Sequence, residues 1–343
     1  MMEYEGPFWK LFNADCIEVM AEMPDNSVDC SIFSSPFSSL YIYSDSERDM
    51  GNANSHEEFL QHHAFFAREL FRVMKPGSVI CDHLKDTVFY QGSSETGESG
   101  LYPFSDMAIA SYRAAGFQLR ARVTIWTDPV LERSKTNAER LLYKNIGENS
   151  RACAPGMPEY IAVMRKDSSG IKSGDPVRHA VAKWGPEKYE ADAKEIAADH
   201  AAWLLKERLI SGVSPELLLR LAEAAKFPLD MWQKWASPVW MDNAGSDVLN
   251  ARFKGSDADE KHLCPMPLSY IERCLNLYSI PGDVVLDPFS GIGSTGFKAV
   301  SMLRKFIGAE LKPEYAAQAA KFIKQAEESA RMGSIFDVVE AAE

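Results

Sequence analysis

Asp283-Val-Val-Leu-Asp287-Pro-Phe289-Ser-Gly291-Ile-Gly293-Ser-Thr295-Gly296 reads as a strand, a glycine-rich turn and the opening of a helix. The apolar run predicts a buried strand, and the glycines let a ligand approach backbone that a Cβ would shield. Gly291, Gly293 and Gly296 also satisfy GxGxxG, and Glu310 ends the next strand about 20 residues on, where an acidic side chain grips a ribose. Two features disfavour a dinucleotide. Asp287 sets a carboxylate beside the turn, which repels a pyrophosphate but suits a nucleoside carrying a sulfonium centre and a free amino acid. Too little chain follows Glu310 to finish a dinucleotide fold, so strands from the N-terminal half must complete the sheet. A glycine turn holding no ligand is the plain alternative.

Working outward, apolar runs bounded by turn residues predict seven strands, at 8–12, 28–33, 78–83, 118–126, 159–165, 283–287 and 305–310. Helical patterns fall between most of them: His56 to Met74, stopped by Lys75-Pro76-Gly77; Ser105 to Ala115, stopped by Gly116; and an alanine-rich stretch from Pro313 to about Ala330. This alternation implies an α/β fold with a mainly parallel sheet covered on both faces. Strands 118–126 and 159–165 have no helix between them and are expected to form an antiparallel edge. The texture changes at Asp167-Ser-Ser-Gly, a linker by composition, after which 187–210 and 215–226 read as helices. Three regions follow: 1–166, a small helical insertion at 167–236, and 237–343.

Composition sets limits. No apolar run reaches the roughly 18 residues of a membrane span, and MMEYEGPFWKLF lacks a signal-peptide pattern, so a cytoplasmic protein with no membrane partner is expected. The six cysteines form no CxxC pair, and His62-His63 has no partner cluster at ligand spacing, so no metal is expected. The net charge of −12 opposes a nucleic-acid partner, although basic residues gather in Arg120–Lys144 and Arg165–Lys172; weak, salt-sensitive binding is the expectation.

The second informative stretch is Val28-Asp-Cys-Ser-Ile-Phe33-Ser34-Ser35-Pro36-Phe37, a strand running into a proline turn tipped by an aromatic ring. Such a turn suits methylation of an exocyclic amino group. That nitrogen is conjugated with its ring and is a poor nucleophile until hydrogen bonds accepted from its NH₂ draw it toward tetrahedral geometry. Ser34 offers a hydroxyl, Ser35 a carbonyl, Pro36 a fixed turn and Phe37 a stacking face that holds the base in line. A strand that simply ends in a turn is the competing explanation of these four residues.

Taken together, the two stretches resemble a known family. Asp287-Pro-Phe-Ser-Gly-Ile-Gly-Ser-Thr295 resembles the DPFxGxGTT cofactor motif of amino-methylating DNA methyltransferases, and Ser34-Ser-Pro-Phe37 their [DNS]PP[YFW] catalytic motif. Catalytic motif first and cofactor motif last is the order of the β group. Ser237-Pro-Val-Trp-Met-Asp242 and His262-Leu-Cys-Pro265-Met-Pro267 resemble the segment before the cofactor motif, particularly in phage and prophage members. The likeness covers about 8–166 and 237–325.

The resemblance implies a Rossmann-like methyltransferase fold with a seven-stranded sheet in circularly permuted motif order, S-adenosyl-L-methionine as cofactor, and DNA with a flipped base as partner. It implies that Asp287, Phe289 and Gly291 line the methionine end of the cofactor, with Gly293 also binding it, Thr295 near its carboxylate and Glu310 on the ribose. Asp15 would lie near the adenine, and Pro265 with Pro267 would shape the wall by the donor. Two positions depart from the pattern: Ser35 replaces the first proline of the catalytic motif, which would loosen its carbonyl, and Met266 stands where many members carry lysine. The serine form favours N4 of cytosine slightly over N6 of adenine. An RNA or protein-amide substrate, a non-catalytic DNA-binding relic, and the choice between monomer and homodimer stay open. The insertion and the basic stretch 127–158 are the candidate target-recognition region.

Overall fold

A computed structural model describes residues 2–36, 50, 53, 56–89, 100–130, 147, 156–167, 229–242, 247–249 and 265–340. In chain order the elements are β1 (Met2–Gly6), β2 (Trp9–Asn13), α1 (Cys16–Ala21), β3 (Val28–Phe33), α2 (His56–Val73), β4 (Met74–Lys85), β5 (Thr87–Phe89), β6 (Gly100–Tyr102), α3 (Phe104–Ala114), β7 (Gln118–Ile125), β8 (Glu159–Arg165), α4 (Leu229–Trp235), β9 (Val239–Trp240), α5 (Leu268–Tyr278), β10 (Val284–Asp287), α6 (Ser294–Ser301), β11 (Lys305–Glu310) and α7 (Pro313–Glu340). The chain forms two units, Met1–Asp167 with Pro238–Glu327, and Ser168–Ser237 with Glu328–Glu343. In the second unit, α4 and the end of α7 are the described elements, and the helices expected at 187–210 and 215–226 lie outside the described residues.

The first unit is built on one sheet in the order β1-β2-β11-β10-β3-β4-β8-β7-β9. All seven expected strands are in it, with the short β1 and β9 added at the edges. From β2 to β4 neighbouring strands run parallel; β8 pairs antiparallel with both β4 and β7, the edge anticipated from the missing helix. A separate hairpin joins β5 to β6.

The central strands are apolar along their length because helices cover both faces. On one face Cys30, Ile32, Cys81 and Val285 pack with residues of α5, α6 and α7; on the other Val28, Phe33, Ile80 and Leu286 pack with α1, α2 and α3. Helix α2 buries Phe59, His63, Phe66, Leu70 and Val73, spaced three or four apart, so that one stripe faces the sheet. Each large apolar side chain so buried stabilises the fold by about 1.5–3 kcal/mol. Helix α2 ends at Val73, just ahead of the predicted stop; Pro76 and Gly77 (φ 81°) lie in β4, where the β3–β4 register shifts between Val28 and Cys30.

Candidate active site

Strands β10 and β3 are neighbours whose connections leave in opposite directions. From β10 the chain passes through α6 to β11 on one side; from β3 it passes through α2 to β4 on the other. A crevice must open where such connections part, beyond the carboxyl ends of the strands. Both informative stretches of sequence end there, side by side, although more than half the chain separates them. Ser31 ties the two strands together inside the sheet, donating through Oγ to the carbonyl of Leu286 at 2.8 Å.

On the β10 side, Asp287 is buried at the end of its strand. Its Oδ1 accepts from the Phe289 amide at 2.9 Å, and it is hydrogen-bonded by the Thr295 side chain. Burial pushes its carboxyl up to about 7, against the pull of those two bonds; the charges of Glu310 and Asp82 push the same way as burial. The turn that follows is held by Glu310, whose Oε2 accepts from the Gly291 amide at 2.7 Å and Oε1 from the Lys312 amide at 2.8 Å. Gly291 and Gly293 adopt left-handed φ values of 52° and 89°. They differ in surroundings: a Cβ on Gly293 would meet Ala319 Cβ at 2.8 Å, whereas one on Gly291 would meet nothing within 4 Å. The turn is therefore packed tightly against α7 and open at Gly291.

These features fit S-adenosyl-L-methionine. Glu310 presents a carboxylate, the acceptor that ribose hydroxyls require, beside the glycine turn it holds. Asp287 offers a carboxylate to the cationic end of the cofactor. Ser294 Oγ, at the first position of α6, and Ser269 Oγ, in the first turn of α5, are buried without a hydrogen-bond partner among the described residues, as hydroxyls left for a ligand would be. Asp15 serves as N-cap of α1, accepting from Ile17 and Glu18 amides at 2.8 and 3.3 Å. It follows β2, whose Asn13 pairs with Glu310, so it lies at the same end of the sheet as the ribose candidate. Pro265 is half-buried ahead of α5, Pro267 is its N-cap, and Met266 is buried in the core. Phe289 packs between Phe33 and Phe66, with ring centroids 6.0 and 4.9 Å away.

On the β3 side, two consecutive residues of β4 grip two consecutive residues of the turn from opposite faces of the sheet. Ser34 Oγ donates to the His83 carbonyl at 3.1 Å and lies 3.5 Å from His83 Nδ1. His83 Nε2 is 3.0 Å from Glu159 Oε2, and Tyr270 packs edge-on against the imidazole. On the other face, Asp82 Oδ1 accepts from the Ser35 amide at 3.0 Å, while Oδ2 accepts from Ser35 Oγ and from Tyr112 OH, each at 2.7 Å. Tyr112 OH is 3.3 Å from His63 Nε2, and His63 Nδ1 is 2.9 Å from Ser111 Oγ.

Burial pulls the His63 pKa down to about 4, so its imidazole is neutral. With the Tyr112 hydrogen on Asp82, the single ring proton sits on Nε2 and goes to the Tyr112 oxygen, and Nδ1 accepts from Ser111. Burial also pushes Asp82 up to about 6, while its three donors pull the other way, and it pushes Tyr112 well up.

Of the site residues expected from sequence, Ser34, Ser35 and Pro36 follow β3, Asp287 ends β10 and Phe289, Gly291, Gly293 and Thr295 follow it, all at one end of the sheet with Glu310. Phe37 lies outside the described residues. Sequence reasoning missed Asp82, His83, Tyr112, His63 and Glu159. The available signal was Asp82-His83 itself, two polar residues at the end of an otherwise apolar strand.

Residues 28–321 match the N6/N4 methyltransferase family of DNA methylases. The Type II methyltransferase M.BglII of Bacillus subtilis is 25% identical over 89% of this chain and 66% of its own length. M.MthZI of Methanothermobacter thermautotrophicus, also a Type II methyltransferase, is 24% identical over 85% of this chain and 70% of its own. Among solved structures, TTHA0409 of Thermus thermophilus in complex with S-adenosyl-L-methionine superposes with a TM-score of 0.55 at 21% identity, covering 92% of this chain and 95% of that one. The cytosine-N4-specific PvuII DNA methyltransferase does so with a TM-score of 0.54 at 16% identity, covering 94% and 92%. With the permuted fold and both motifs in place, the chain belongs to the N6/N4 family of DNA methylases.

Proposed function

We propose that this chain is a site-specific DNA methyltransferase that methylates the exocyclic amino nitrogen of a flipped base, N4 of cytosine in preference to N6 of adenine. The observation that carries the reading is the commitment of the Ser34 hydrogen to the His83 carbonyl. A hydroxyl so engaged presents only lone pairs to the crevice, as an acceptor for a target NH₂ must. The Ser35 carbonyl is the second acceptor, and Phe37 the stacking face. Two hydrogen bonds accepted from one amino group localise its lone pair, and the turn aims that pair toward the β10 side.

Bound S-adenosyl-L-methionine supplies an electrophilic methyl carbon on a sulfonium. Glu310, Asp287 and the Gly291 turn would orient it, with Phe289, Met266 and Pro267 as apolar walls that limit competing water. Recognition of the sequence around the target is assigned to 127–158 and 167–236, most of which lies outside the described residues. The names of the two Type II relatives support a role in a restriction-modification pair.

The test is incorporation of labelled methyl from S-adenosyl-L-methionine into mixed-sequence duplex DNA, followed by nucleoside mass spectrometry. N4-methylcytosine is the expected product, with turnover falling about 100-fold in Ser34→Ala at unchanged cofactor affinity. N6-methyladenine would overturn the base assignment alone. Transfer to RNA or protein but not to duplex or single-stranded DNA, with cofactor binding intact, would overturn the substrate.

A further inference from the structure

We infer that Asp82 is a positioning residue for the target amino group: it holds the Ser35 carbonyl in place through the Ser35 amide and hydroxyl, standing in for the proline ring that the catalytic motif carries at this position. The inference rests on the reading of Ser34–Pro36 as the turn that holds the target amino group, and it assigns the device that gives that turn its rigidity.

A proline fixes φ and has no N–H. Serine leaves φ free, so the carbonyl that follows would swing unless something else restrained it. The turn restores the restraint with the two groups that distinguish serine from proline here. The Ser35 amide and Oγ bond to the two oxygens of one carboxylate at 3.0 and 2.7 Å. This is a bidentate clamp on one residue, and it fixes a plane as well as a point. Asp82 cannot turn away, because Tyr112 OH holds the same oxygen from α3 at 2.7 Å and His63 backs that hydroxyl from α2. Asp82, Ser35, His63 and Tyr112 are almost fully buried, so each hydrogen bond acts in a medium without competing water.

A carboxylate placed there merely to stabilise the fold is a poor explanation. Burying an ionised carboxylate is costly even with three donors, and burial raises its pKa, so an apolar side chain in its place would serve packing better. What the carboxylate offers is orientation of the next peptide plane. Its neighbour in the sheet is Phe33, the last residue before the turn, which places the anchor level with what it anchors.

The consequence is that residues 35 and 82 form an interchangeable pair. Asp82→Ala removes the clamp and leaves a serine with free φ; turnover falls about 100-fold, the scale of a misplacement of about 1 Å. Cofactor affinity is not lost, since Asp82 bonds to Ser35 and Tyr112 and removing its charge only eases ionisation of Asp287. Asp82→Asn is milder, because its amide oxygen still serves the Ser35 N–H while its NH₂ meets two hydroxyls. Ser35→Pro alone strips the carboxylate of two of its three donors and is also impaired. Ser35→Pro with Asp82→Asn supplies a ring and removes the charge, and recovers turnover above either single variant.

The experiment is the four-variant comparison of kcat and KM for methyl transfer, with cofactor Kd and melting temperature measured on the same preparations, and amide exchange of the turn followed by NMR. The clamp predicts sign reversal: Asp82→Asn lowers kcat when position 35 is the native serine and raises it in the Ser35→Pro background. A loss of the same size in both backgrounds, or lost cofactor affinity in step with kcat, would overturn it. Slow exchange of the Ser35 amide in the unaltered protein, at least about tenfold faster in Asp82→Ala, is expected whatever the substrate. An inactive unaltered protein with a protected Ser35 amide would sink the proposed function and leave the clamp standing; an unprotected amide would sink the clamp.

Discussion

Two residues of this site have their chemistry set by the burial that the fold gives them. Asp287 titrates near 7 because burial outweighs the bonds from Phe289 and Thr295. An unfolded aspartate titrates at about 3.9, so between these values the folded chain holds a proton that the unfolded chain has lost. Folding of the cofactor-free protein therefore gains stability from Asp287 as pH falls from about 8 toward 4. Cofactor binding has the opposite sign, since the ionised carboxylate is the form that attracts a cationic ligand. Calorimetric Kd values for S-adenosyl-L-methionine should tighten between pH 6 and 8 and become nearly flat in Asp287→Asn; affinity that weakens with rising pH would refute this role for Asp287. His63 shows how little a residue type reveals alone. In sequence it is one of two adjacent histidines on a helix; in the fold it is a neutral donor, buried and fixed by Ser111 and Tyr112.

At the scale of elements, the cofactor turn separates two demands on glycine. Gly293 is required by packing, because a Cβ there would press on α7 at Ala319, while Gly291 is free of neighbours and strained only by its φ. Left-handed backbone costs an ordinary residue about 1–2 kcal/mol, and overpacking adds about 1–3 kcal/mol. Gly293→Ala should thus lower the melting temperature clearly more than Gly291→Ala, whereas Gly291→Ala should weaken S-adenosyl-L-methionine binding more for each degree lost. Parallel losses in both variants would show that Gly291 faces no ligand. The strand–turn–helix form of this element is legible in the amino-acid order alone, because an apolar run, a cluster of glycines and a helical pattern are local signals. So are the stop just ahead of Pro76-Gly77 and the antiparallel edge of β7 and β8. The short strands β1 and β9 are not, since Met2–Gly6 and Val239–Trp240 carry too few apolar residues to register, and the pairing with a longer neighbour is what makes them strands.

Across the whole molecule, the net charge of −12 sets the terms of any encounter with DNA. Affinity depends on local basic residues working against the summed charge, and each phosphate neutralised steepens the fall of log K with log salt by about 0.9. Binding to duplex of random sequence should be weak and drop steeply between about 50 and 200 mM salt. Filter binding or anisotropy titrations across that range test this, and a flat response would mean that phosphate contacts are few. By itself the sequence determined the fold class, through periodicity and glycine placement, and its resemblance to a known family implied the cofactor and the pair of turns proposed to carry the chemistry, because these signals are local or counted along the chain. Only the tertiary structure decided how the turns are held. Asp82 and His83 reach them from a neighbouring strand, Tyr112 and His63 brace that strand's carboxylate from two helices, and the loss of a proline at position 35 is made good by hydrogen bonds. Such bonds join residues with no fixed spacing, so they exist only once the sheet has brought β3 and β4 side by side.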